Sequence, residues 1–270
     1  MRKTILAASL ASAAFAFPSL AAAQAAAAPA SPHTFTGNLT LASEYLYRGI
    51  AQTRGKPALQ GGFDYAHSSG FYLGTWGSNI SWISDAVAGA SSSLEVDVYG
   101  GYKGTISGDW GFDLGALTYI YPGSGKPTGA SKPDTTEIYG AVSYKWLSLK
   151  YSRTTGSLFG WTKTSDGSKT TGSGYLDLSG TWDLGGGFGL TGHLGRQTVR
   201  GRSSASYSDW KIGITKDLGF GTLGMAYSAT NAKADCNSTP TEDYCFINAG
   251  TGGTYDAGKS RLLVTFGKTF

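Results

Sequence analysis

Segments of about ten residues in which apolar and polar side chains alternate follow one another along most of this chain, and few folds accept a period of two sustained that far. Ten residues is the length of a strand tilted across a bilayer. Helical spacing is almost absent after Gln24. In the first segment Phe35, Leu39, Leu41, Tyr45 and Tyr47 share one face, opposite Thr34, Thr36, Asn38, Thr40, Glu44 and Arg48. Further along, Leu59 and Phe63 oppose Gln60 and Asp64; Leu94, Val96, Val98 and Tyr102 oppose Glu95, Asp97, Tyr99 and Lys103. Trp110, Phe112 and Leu114 oppose Asp113 and Tyr119; Ile138 and Val142 oppose Glu137 and Tyr139; Leu147, Leu149 and Tyr151 oppose Ser148, Lys150 and Ser152. The pattern continues with Leu176, Leu178 and Trp182 against Tyr175, Asp177 and Asp183, then Phe188, Leu190 and Leu194 against Thr191, His193 and Gln197. Trp210, Ile212 and Ile214 oppose Asp209 and Lys211, and Leu223, Met225 and Tyr227 oppose Thr222 and Ser228. Leu262, Val264, Phe266 and Phe270 oppose Arg261, Thr265 and Thr269. Segment 71–81 is apolar on both faces and alternation does not orient it.

About twelve segments result, an even number as bacterial outer-membrane barrels require. Their connections alternate. Short turns fall at 68–70, 107–109, 145–146, 185–187 and 217–219, and longer polar links at 49–57, 82–92, 122–135, 155–172, 199–206 and 232–258. That is the pattern of periplasmic turns and extracellular loops in an up-and-down antiparallel transmembrane β-barrel, the all-β fold expected here. Trp82, Trp110, Trp146, Trp182 and Trp210 stand near segment ends, where an aromatic girdle belongs.

The first residues are an address. Met1, Arg2 and Lys3 form a positive start, residues 4–17 an uncharged core, and Ala21, Ala22 and Ala23 the small residues of a cleavage site. The expected organisation is a signal peptide over 1–23, a lead over 24–33 and a barrel over 34–270. Removing Arg2 and Lys3 lowers the formal charge of +4 to a small excess, and no basic run remains, so nucleic acid is not an expected partner. Cys236 and Cys245 are the only cysteines, in one polar segment of an exported chain, which makes one disulfide the natural reading. The histidines, His33, His67 and His193, are too scattered to complete a metal site with them, and no metal or cofactor is expected.

The alternation of Leu262, Val264, Phe266 and Phe270 resembles the C-terminal signal by which outer-membrane proteins engage the barrel-assembly machinery, with Phe266 and Phe270 its aromatic members. Residues 43–52 (SEYLYRGIAQ), followed by 57–65 (PALQGGFDY), 70–79 (GFYLGTWGSN), 95–102 (EVDVYGGY) and 136–140 (TEIYG), are similar to the TorF family of porins. The match covers essentially the whole mature chain and is densest in the first hundred residues. It implies an outer-membrane barrel and a porin, without fixing a solute.

No G-x-S-x-G or H-E-x-x-H occurs, and His193 has no nucleophile pattern around it, so the chain is not expected to be an enzyme. Paired acids such as Glu95 and Asp97 are expected to meet lumen Lys and Arg. Two classes remain: a passive channel for small hydrophilic solutes, and a structural or adhesive barrel with a closed lumen whose loops bind a partner. Inward Tyr99, Tyr119, Tyr139 and Tyr175 narrow a twelve-stranded bore. The expected lining is Glu44, Arg48, Asp64, Glu95, Asp97, Lys103, Asp113, Glu137, Lys150, Asp177, His193, Lys211 and Arg261, interleaved in sign and therefore weakly ion-selective. Glu44 and Arg48 are expected near Arg261 at the closing seam. Outer-membrane lipid, lipopolysaccharide and small polar solutes are the expected partners, in the outer membrane of a Gram-negative bacterium.

Overall fold

A computed structural model describes residues 31–86, 91–125, 132–238, 241–247 and 252–270. The expected signal peptide lies outside them. Twelve strands close into one antiparallel barrel: β1 (His33–Ala42), β2 (Ala58–His67), β3 (Phe71–Asn79), β4 (Leu94–Ser107), β5 (Trp110–Ile120), β6 (Thr135–Tyr144), β7 (Leu147–Thr154), β8 (Gly174–Gly185), β9 (Phe188–Thr198), β10 (Tyr207–Asp217), β11 (Thr222–Thr230) and β12 (Arg261–Thr269). Each strand pairs with its neighbour in the chain, and β1 closes on β12 with Leu41 opposite Phe266. The seam continues past β12, where the Phe270 N–H donates to the Gly37 carbonyl at 2.8 Å. Closure leaves no strand edge unpaired, which is what a sheet crossing hydrocarbon requires.

The alternation sets which side each residue takes. Phe35, Leu59, Phe63, Leu114, Leu194 and Leu262 stand on the outside, more than half exposed in the isolated chain. Outside, such an apolar wall needs lipid. Segment 71–81 is now oriented: Phe71 and Leu73 face outward, while Tyr72 and Trp76 are buried inside. At the short-turn end the outer surface carries a ring of aromatic pairs, among them Phe71 with Tyr102, Trp110 with Tyr144 and Trp146 with Trp182, their ring centroids 5.0, 4.9 and 5.1 Å apart. Trp210 joins Tyr227 nearer the loop end. Trp82 is not part of any girdle. It lies in the short helix α1 (Trp82–Ala86) and is buried against Tyr121, because the loop after β3 folds inward instead of along the rim.

The largest departure from simple alternation follows β1. Tyr45 and Tyr47, expected on the lipid face, are buried inside. The strand ends at Ala42, and the next residues turn into the barrel as a hairpin in which Leu46 and Tyr47 pair with Ala51 and Ile50. Its tip is Arg48-Gly49, with φ of 48° and 78°, the two left-handed residues that a two-residue hairpin turn of matching twist requires.

Cys236 and Cys245 are bonded, with Cα atoms 5.1 Å apart, and Cys245 begins a small sheet of Cys245–Ile247 and Thr254–Asp256 in the last loop. Closing so short a loop contributes about 2–3 kcal/mol to its local order. Cys236→Ser is therefore expected to speed proteolysis at Lys233 while leaving the barrel's heat-dependent gel mobility unchanged. A barrel that no longer folds would show that the loop supports the wall.

Candidate functional site: the lumen and its inward hairpin

The two halves of the lumen differ. Near the turns, the inward positions Thr34, Thr105 and Thr181 are exposed, and a cavity of about 70 Å³ lies between β1, β10, β11 and β12, lined by Asn38, Thr40, Thr215, Thr265 and other small or polar residues. Toward the loops, inward Gln60, Ser78, Glu95, Asp97, Glu137, Tyr175, Gln197 and Asp209 are all buried. The hairpin fills that half. A twelve-stranded wall is wider than one its own side chains can fill, and a two-stranded ribbon occupies the difference.

Arg48 anchors the ribbon. Its guanidinium donates to both carboxylate oxygens of Glu137 on β6, at 3.1 and 2.7 Å, and to Gln197 Oε1 on β9 at 2.8 Å. It also lies 4.1 Å from the ring centroid of Tyr175. Burial penalises a charge here, and the carboxylate of Glu137 supplies the opposite charge that compensates it. Gly49 sits against β10, where a Cβ would come 2.8 Å from that of Asp209, so glycine is required there by both space and φ. Tyr45 donates to Glu95 at 2.7 Å, and Tyr47 donates to the Tyr119 hydroxyl at 2.7 Å.

These contacts correct two expectations. Arg48 is not near Arg261. Glu44 alone meets that arginine, at 3.1 Å, and its other oxygen accepts from the Tyr255 hydroxyl. The hairpin carries Arg48 across the bore, away from the seam. Glu95 meets a tyrosine hydroxyl from the hairpin instead of a wall cation, and Asp97 Oδ1 is buried with no hydrogen-bond partner among the described residues.

The remaining expected lining residues do face inward. Asp64 accepts from Tyr99, and Asp113 accepts from Tyr72, which also bonds to Tyr139. Lys150 stands 3.8 Å from the Tyr139 centroid and Lys103 5.3 Å from that of Tyr72. His193 lies between Asp177 and Asp209, 2.6 Å from each, with Lys211 opposite it in register. Most of these charges face a neighbour of opposite sign or a hydroxyl donor.

Sequence reasoning missed the cap above the hairpin. Phe159, from the loop after β7, packs its ring on Tyr47, Tyr119, Tyr121 and Trp82. Leu158, Val199, Ala205, Tyr244 and Phe246 extend this apolar cluster across the loops. Tyr244 donates to the Ala205 carbonyl, and Arg202 pairs with Asp243 at 2.6 Å over Trp161. The signal available was apolar residues concentrated in long loops, at Trp82, Leu158, Phe159 and Phe246.

A family model matches residues 26–270, which is nearly the whole chain. The chain belongs to the Gcw_chp family. That family is described as a bacterial protein of unknown function. A search of curated proteins gives no match. Among solved structures, the KdgM porin superposes with a TM-score of 0.50 at 6% identity, covering 87% of this chain and 98% of that one. The NanC porin gives 0.48 at 10% identity, with 87% and 98% covered. Pseudomonas aeruginosa OprD gives 0.39 at 12% identity, with 90% and 68% covered. At such identities the likeness to KdgM shows the fold, and this Gcw_chp chain shares its barrel architecture.

Proposed function

We propose that this protein is a non-enzymatic outer-membrane channel for small polar solutes, exported to that membrane and narrowed on its loop side by the first-loop hairpin. The observation that carries the reading is the inverted wall: apolar outside, with hydroxyls and charges inside around an open vestibule. The porin label of KdgM and the resemblance to the TorF porins point the same way. Phe266 on the last strand and Phe270 just past its end, both exposed, are read as the handle taken by the barrel-assembly machinery. Arg48 is paired with Glu137, Arg261 with Glu44 and His193 with two aspartates, so charges of both signs interleave along the bore with the acids in slight excess.

The test is conductance in a planar bilayer. We expect small single-channel steps, with a reversal potential near zero in a salt gradient. Strong selectivity for either sign would contradict a lining in which the two signs interleave. A silent bilayer would favour the second reading, a closed barrel whose loops bind a partner, for which the apolar cap across the mouth is the supporting observation.

A further inference from the structure

All Lys and Arg residues on the outer face of the twelve strands lack acidic company: that face carries Arg153, Arg196, Lys216 and Lys268, and no Asp or Glu. Lys216 and Lys268 lie at the turn end, their ammonium groups over the rings of Phe188 and Phe270. The arginines lie at the loop end and close together. In register, Gly174 of β8 stands between Arg153 of β7 and Thr198 of β9, while Leu176 stands between Tyr151 and Arg196. Arg200 is exposed two residues beyond β9, its backbone N–H tied to Ser173 Oγ at 3.0 Å.

Two of these guanidiniums converge. Arg153 Nη2 and Arg200 Nη1 each come within 3.2 Å of the point where a Cβ on Gly172 would stand. Like charges brought this near repel, and none of the three arginines has a carboxylate partner among the described residues. Among the described residues, Arg196 donates to Ser208 Oγ at 3.2 Å. Gly172, at a φ of 86°, leaves room for both side chains. One rung nearer the middle of the wall the outer face turns apolar, with Leu178 between Leu149 and Leu194, and Leu194 opposite Trp210.

We infer that Arg153, Arg196 and Arg200 form a binding site for a phosphorylated, acylated glycolipid of the outer leaflet, of the lipid A type. The inference rests on the outer-membrane placement proposed above and not on conduction. Arg matches phosphate in a bidentate geometry, and an exposed guanidinium held beside apolar surface is suited to a lipid phosphate whose chains run down that surface. The site spans three adjacent strands, roughly 10 Å at the usual strand spacing, which suits a headgroup with two phosphates better than one with a single phosphate. The Tyr151, Thr198 and Ser208 hydroxyls lie on the same face and offer partners for sugar hydroxyls.

The test uses the folded full barrel in detergent micelles, titrated separately with diphosphoryl lipid A, monophosphoryl lipid A, phosphatidylglycerol and inorganic phosphate. Bound lipid is read by native mass spectrometry. Diphosphoryl lipid A is expected to bind more than about tenfold tighter than phosphatidylglycerol, and R153Q/R196Q/R200Q to lose at least about tenfold, since each charged hydrogen bond removed contributes substantially. K216Q/K268Q, at the other rim, is expected to bind as the parent does. Equal binding by the triple variant, or equal competition by phosphatidylglycerol or inorganic phosphate, would overturn the site. Conductance of the same preparations separates the two readings. A silent barrel that binds lipid A sinks only the channel, and a conducting barrel indifferent to lipid A sinks only this site.

Discussion

Arg48→Ala is expected to raise single-channel conductance several-fold over the parent barrel. Glu137 is almost fully buried, and its bidentate partner is Arg48. Removing one member of such a pair leaves an uncompensated charge, at a cost of about 3–5 kcal/mol. The wall, held by continuous strand pairing, does not depend on this contact. The hairpin does, and it is expected to leave its seat and widen the bore. Replacing both members with apolar residues of similar size, Arg48→Met with Glu137→Leu, removes the charge problem altogether. That double variant is expected to conduct like the parent. If Arg48→Ala leaves conductance unchanged, the ion pair does not hold the hairpin in place.

Leu114→Arg is expected to destabilise the folded barrel by about 2–4 kcal/mol in vesicles, a shift of roughly 30- to 1,000-fold in the unfolding equilibrium. Leu114 lies mid-strand on the outer face, between Tyr102 and Gly140 in register. A cation there sits on the apolar outer wall, just above the turn-end aromatic ring. The matched control is Thr181→Arg, on an exposed inward position of β8 facing the vestibule, expected to cost well under 1 kcal/mol. Urea unfolding followed by tryptophan fluorescence gives both numbers. Equal costs would mean that the outer face of this barrel does not meet lipid.

The wall was legible because alternation is a local property: each of β4 to β12 shows its two faces within its own residues, whatever the rest of the chain does. Segment 71–81 resisted because Trp76 and Tyr72 are large, apolar and inward, so neither face looked polar. Tyr45 and Tyr47 misled for a related reason. They continue the parity of β1, and only the Arg48-Gly49 turn marks the reversal, with arginine in place of the Asn or Asp that usually announces it. The inward direction of the acids was readable, but their partners were not. The contacts Arg48–Glu137 and Tyr45–Glu95 join residues 89 and 50 positions apart, and no local pattern encodes such a meeting. The loop cap was hidden because apolar residues without a period carry no direction.

The reach of the hairpin also fixes an order of events during assembly. Its residues follow the first strand, yet its partners Glu137, Gln197 and Asp209 belong to the sixth, ninth and tenth. The ribbon is therefore synthesised early and satisfied late. Until those strands curl round it, Arg48 lacks both Glu137 and Gln197. The ribbon can therefore take its seat only once the sixth, ninth and tenth strands stand round it. Amide protection in the ribbon should rise together with that of the last strands to pair, and not before.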